Sequence, residues 1–131
     1  VNGRRDGRPL STPDDLLRRV ALDFKLPASA IAGRAHSYDV ARARHAYWYL
    51  LVQLLPRPSY YICGENRAGR RAPIDRDGMI SAAARLVGYD RRAISYGMRR
   101  TEDRRDDPAF DDLLSAIELD LAKDTSDKPG N

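Results

Sequence analysis

The 131-residue sequence is 42% hydrophobic and carries 23 Lys+Arg against 19 Asp+Glu, a formal net charge of +4. That length fits one domain with a core of its own. No apolar run approaches the roughly 20 residues of a membrane span, no apolar signal segment opens the chain, and the lone cysteine, Cys63, excludes an internal disulfide, so a soluble protein in a reducing cytoplasm is expected.

The basic charge is almost all arginine, since only Lys25, Lys123 and Lys128 are lysines. Arginine's planar fork suits paired contacts to phosphate and guanine, but it also accumulates in GC-rich genomes for codon reasons, so its abundance alone decides nothing. Its distribution says more. Seven acids and two lysines from Asp107 to Asn131 give that segment −5 and leave +9 on the first 106 residues. A basic body with an acidic end fits a polyanion-binding domain whose last helix faces away from the ligand.

In chain order, residues 1–10 (VNGRRDGRPL) read as a flexible basic arm. Ser11 or Thr12 then caps a first helix, with Pro13 in its first turn and Leu16, Leu17, Val20, Ala21 and Phe24 on its apolar face; it stops before Pro27. A short helical turn from Ser29 to Ile31 closes at Gly33. The polar loop Arg34–Asp39 follows, and Asp39 is positioned to cap the longest helix, Val40 to about Leu55. Its stripe of Val40, Ala43, Ala46, Tyr47, Leu50, Leu51 and Leu54 marks the central core helix. Pro56 and Pro58 end it. Residues 57–75 read as an inserted loop or small β-hairpin, with Trp48 packing beneath it.

A small-residue helix from Met79 to Val87 is broken by Gly88, and Asp90 caps the next helix. There Ile94, Gly97 and Met98 form a narrow packing face, while Arg91, Arg92, Ser95, Tyr96, Arg99 and Arg100 fall mostly elsewhere. Helix, glycine turn and helix with a basic outer face is the grammar of a helix-turn-helix. Pro108 starts a last helix with Phe110, Leu113, Leu114, Ile117 and Leu121 buried, and residues 123–131 form a flexible tail. The fold class expected is all-α, a helix-turn-helix bundle of about six helices spanning residues 11–122.

Other constellations carry little. Gly64–Arg71 imitates a phosphate-binding loop, but arginines stand where lysine and Ser/Thr are required and Pro73 follows, so no nucleotide is expected. Cys63, His36 and His45 lack metal-ligand spacing, and both histidines read as surface residues. With no assembled acid–base pair, nucleophile or metal set, the chain is not expected to be an enzyme or to need a cofactor.

The order of elements resembles the C-terminal DNA-binding domain of the bacterial replication initiator DnaA. Val40-Ala41-Arg42-Ala43-Arg44 looks like that family's V-A-R-P-R, Gly88-Tyr89-Asp90-Arg91-Arg92-Ala93-Ile94 like its G-R-D-H-T-T-V, and Arg99-Arg100-Thr101-Glu102 falls where it has R-K-I-E. The likeness covers roughly Leu16 to Glu118, with 57–74 as an insertion. It departs where the family's H-T-T becomes Arg91-Arg92-Ala93, and where the minor-groove arginine aligns with His36; Arg34 lies close enough to substitute. No AAA+ module accompanies the stretch, so initiator activity does not follow.

The resemblance and the basic face together imply sequence-dependent binding of double-stranded DNA by a bacterial or phage regulator of transcription or of replication initiation, associated with the nucleoid. Asp90, Arg91, Arg92 and Ser95 are the major-groove candidates: Asp90 can accept from cytosine N4, and each arginine can pair with guanine O6 and N7. Arg42, Arg44, Tyr96 and Arg99 are the phosphate candidates. Arg34, His36 and Ser37, in the loop before the long helix, are placed at the adjacent minor groove. Two rivals stay open, a protein-interaction adaptor that keeps the fold without binding DNA and an RNA-binding module. A protein partner or homodimer is compatible with any of the three.

Overall fold

The computed structural model describes residues 10–55 and 75–126. Six helices follow one another among them: α1 (Pro13–Phe24), α2 (Ala28–Ala32), α3 (Tyr38–Leu54), α4 (Asp75–Val87), α5 (Arg91–Arg104) and α6 (Pro108–Ser126). No strand occurs among the described residues, and the class is all-α as expected. The hairpin or loop expected at 57–75 lies outside them except for Asp75, which already belongs to α4. The basic arm before Leu10 also lies outside them.

The helix ends follow local chemistry. Thr12 Oγ1 accepts from the Asp15 N–H at 3.0 Å and Pro13, which has no N–H, opens α1, so two positions of the first turn need no intrahelical acceptor. α3 begins two residues earlier than Asp39 would dictate. Ser37 Oγ is its cap, accepting from Val40 N–H at 3.3 Å, and Asp39 stands in the first turn, where the helix dipole still favours a negative charge. α4 begins at Asp75, ahead of the expected Met79, and α6 continues to Ser126, beyond the expected 122. Between α4 and α5 the chain turns on Gly88 at φ 79°, a left-handed conformation that glycine adopts without a Cβ clash. Ala84 O accepts from the Gly88 and Tyr89 N–H groups, and Asp90 Oδ1 accepts from Ala93 N–H at 2.8 Å to start α5.

α3 packs against all five other helices. Ala43, Ala46, Leu50 and Leu51 on it are fully buried, as are Leu16 and Val20 of α1, Ile94 of α5, and Leu114 and Ile117 of α6. The tightest helix approach is at Gly97. A Cβ there would sit 2.8 Å from Trp48 Cε3 and 2.9 Å from His45 Cδ2, so the two rings of α3 take the space a side chain would need. Trp48 thus packs against the helix-turn-helix rather than serving only as a floor for the inserted segment, with its ring 4.7 Å from that of Tyr89. His45 is half-buried in the same contact, not a surface residue as expected.

Two arginines brace the bundle. Arg19, 6% exposed, joins Asp23 of α1 to Asp120 of α6. Arg105, just past α5, binds Asp111, Ser115 and Glu118 of α6. Its bond to Glu118 holds its pKa above the ordinary arginine value. Part of the acidic C-terminal charge is therefore committed to internal ion pairs.

Candidate functional site

On α5, Ile94, Gly97 and Thr101 face the core, and the Thr101 hydroxyl donates back to Gly97 O at 2.9 Å. The opposite side carries Arg91, Arg92, Tyr96, Arg99 and Arg100, all exposed, with Ser95 half-buried at its edge. Arg92, Arg99 and Arg100 have no ion-pair or hydrogen-bond partner among the described residues. Most of the other described arginines are engaged, Arg42 and Arg85 being the exceptions. Arg18 pairs with Asp14, Arg19 with acids of α1 and α6, Arg105 with two acids of α6, and Arg44 with three carbonyls. Acidic residues return only at the far end of the helix, at Glu102 and Asp103, so the basic surface lies on the first turns after the cap.

The loop before α3 is joined to the turn before α5 by reciprocal bonds. Arg34 Nη2 donates to Gly88 O at 3.0 Å, and Tyr89 Oη donates to Gly33 O at 2.7 Å. Arg34 Cζ also stacks 4.1 Å from the Tyr89 ring centroid. The exposed residues Arg34, His36 and Ser37 are consequently held at a fixed spacing from Asp90–Arg92. Asp90 is exposed; one carboxylate oxygen caps α5 and the other remains outside that bond. Ser37 is exposed, but its hydroxyl is engaged as the α3 cap.

Two expected phosphate contacts are corrected. Arg44 is 6% exposed, and its Nε, Nη1 and Nη2 donate to Ile31 O, Ala35 O and Ala30 O at 2.8–2.9 Å. It ties the last turn of α2, where only Ala30 O also accepts from the Gly33 N–H, to the following loop, and is not presented to a ligand. Arg42 is half-buried, with Cζ 5.3 Å from the Phe24 ring centroid and 5.4 Å from that of Phe110. The surface that remains runs from Arg34 and His36 across the turn to the outer side of α5. Two residues outside the expected set also matter. Arg100 extends the basic face, and its position at i+8 from Arg92 was the available signal. Tyr89 holds loop and turn together; an aromatic residue directly after a turn glycine was the only hint.

His45 lies under this helix. Its ring stands 5.8 Å from that of Tyr96, and its Nδ1 is 3.1 Å from Arg104 Nη1. Burial, and then the charges of Arg104, Arg44 and Arg100, lower its pKa from 6.5 to about 4. The folded protein therefore holds His45 neutral at neutral pH, while the unfolded chain binds a proton below its ordinary value. Stability that is complete above pH 6.5 is lost as the pH falls towards 4. Allowing for screening of a half-buried ring, the loss is about 2 kcal/mol. Urea unfolding at neutral pH and near pH 4.5 should show it in the native chain and a smaller drop in His45→Gln; equal drops would place the effect in the carboxylates.

Among the described residues no group of three or more His, Cys, Asp or Glu is placed to hold a metal ion, and no helix is long and apolar enough to cross a membrane. No family model matches this chain, nor does a curated protein or a solved structure.

Proposed function

We propose that this chain binds double-stranded DNA in a sequence-dependent way, with α5 lying in the major groove, and that it regulates transcription or the start of replication. The observation that carries the reading is the unpaired state of Arg92, Arg99 and Arg100 on one outer face of the helix after a three-residue turn. Codon-driven arginine would be distributed without regard to partners. Here Arg19, Arg44 and Arg105 are matched to carboxylates or carbonyls, whereas Arg92, Arg99 and Arg100 stand exposed on α5 with no partner among the described residues and are open to an external anion. The likeness of residues 88–94 and 99–102 to the DnaA domain adds support, as does the net positive charge of the chain outside its C-terminal segment.

In this reading Arg91 and Arg92 reach guanine O6 and N7 from the first turn of α5, and Asp90 offers its second oxygen to cytosine N4. Tyr96, Arg99 and Arg100 contact phosphates, which position the helix without specifying sequence. Arg34 and His36 follow the backbone or the neighbouring minor groove.

Selection of bound sequences from a random duplex pool is the direct test. On the selected site, affinity should fall with salt at a log–log slope of roughly −3, from phosphate contacts by Arg34, Arg99 and Arg100. Arg99→Ala should lower that slope by about one and weaken all sequences alike. Arg92→Ala should cost about 1–3 kcal/mol on the selected site and much less on random duplex, relaxing specificity at one base position. Equal losses on both duplexes would confine Arg92 to the backbone. Failure to enrich any duplex would overturn the proposal in favour of an adaptor role.

A further inference from the structure

Tyr96 differs from its neighbours on the outer side of α5. Its ring is 51% exposed, and its hydroxyl makes no hydrogen bond to a described residue. Helical spacing sets it beside Arg92 at i−4, Arg99 at i+3 and Arg100 at i+4, so one apolar ring stands among the three unpartnered guanidinium groups.

A singly exposed aromatic residue is ordinary, but this one is braced from beneath. The His45 ring of α3 meets it edge to face, with centroids 5.8 Å apart and planes at 87°. His45 is itself held by the Trp48 ring, 5.5 Å away, and by Arg104 Nη1, 3.1 Å from its Nδ1. Gly97, with no side chain, lets α5 come close enough to α3 for these contacts. The tyrosine is therefore a fixed apolar wall among long, flexible arginine side chains.

With α5 as the major-groove helix, the reading on which this inference rests, the groove decides what such a wall can meet. Its base edges present hydrogen-bonding atoms and one apolar group, the C5-methyl of thymine. We infer that the Tyr96 ring is a specificity-determining contact that reads the 5-methyl group of a thymine. Arg91 and Arg92, about one turn earlier, read guanines, so this thymine lies within a few base pairs of them. The hydroxyl at the tip of the ring is free to donate to a phosphate. The two roles are separable, because one belongs to the ring and the other to Oη.

The test takes the duplex selected by the full chain and replaces its thymines one at a time by deoxyuridine. Each replacement deletes a methyl group and leaves every hydrogen-bonding atom in place. One of them should weaken binding about fourfold, the effect of one methyl group returned to water. Tyr96→Phe should lower affinity for both duplexes and keep the fourfold preference for thymine. Tyr96→Ala should bind the two duplexes equally. His45 is the only ring contact of Tyr96 among the described residues, and urea unfolding checks that both variants are folded. A selected duplex bound without any thymine dependence overturns the inference and leaves duplex recognition by α5 standing. Thymine dependence that survives Tyr96→Ala overturns it by assigning the methyl to another side chain, and dependence lost in Tyr96→Phe by assigning it to the hydroxyl. If no duplex is enriched, the duplex reading fails and this inference fails with it.

Discussion

Arg44→Leu should lose about 3–5 kcal/mol of folding stability, the largest effect expected of any single arginine in this chain. Three backbone carbonyls, those of Ala30, Ile31 and Ala35, accept from this guanidinium in a site only 6% exposed. Leucine restores the apolar volume and none of the donors; Ala30 O keeps its bond from the Gly33 N–H, while the carbonyls of Ile31 and Ala35 lose the guanidinium donor, at about 1–3 kcal/mol apiece before relaxation. Arg44→Lys should fall between the two, because a single ammonium cannot reach three diverging carbonyls as the planar fork does. Denaturant unfolding of the three proteins gives the values. Duplex affinity per folded molecule should stay within about twofold, which is the result that separates a structural arginine from a phosphate contact. A stability loss under about 1 kcal/mol would mean that water replaces the guanidinium at the end of α2.

Gly97→Val should be nearly as damaging, at about 3 kcal/mol. The Cβ alone would come within 2.8 Å of Trp48 and 2.9 Å of His45. Neither ring is a flexible tip that can swing away. Trp48 is buried against Tyr89, and Tyr89 is bonded to Gly33. α5 must therefore move off α3, and its outer face moves with it. Gly97→Ala tests the same contact more gently, since alanine's better helix propensity offsets about 1 kcal/mol of the crowding. Trp48 is the only tryptophan in the sequence, so its near-ultraviolet circular dichroism reports the displacement directly. Valine tolerated with an unchanged tryptophan signal would contradict the packing described.

The elements legible in the sequence were those with local causes. Thr12-Pro13, Gly88 with Asp90, and Pro108 each declare a helix end through their own backbone or side-chain chemistry, and the structure uses all of them. The interior stripe of α3 was legible for the same reason. Arg44 was not, because a buried arginine and an exposed one are the same letter. Its partners lie on α2 and the following loop, and only its register betrayed it: four residues after Val40 and three before Tyr47, it stands on the apolar side of the helix. Arg42, equally assigned to phosphate, lies against two phenyl rings for reasons of tertiary packing. Of the candidate site, the outer face of α5 could be read from helical spacing. The bonds that hold the preceding loop beside it could not, because Arg34 and Gly88 are 54 positions apart.

That separation has a kinetic meaning. The two bonds between loop and turn, Arg34 to Gly88 and Tyr89 to Gly33, close over 54 and 56 residues and can form only once α3 and α4 have docked. Contacts of such sequence separation are formed against a large loop-closure cost and come late in folding. A chain that stalls after making its local helices would already display arginines on α5, yet the loop would not be set beside them. The complete surface is in this sense a certificate of maturity, issued only to molecules whose core has closed.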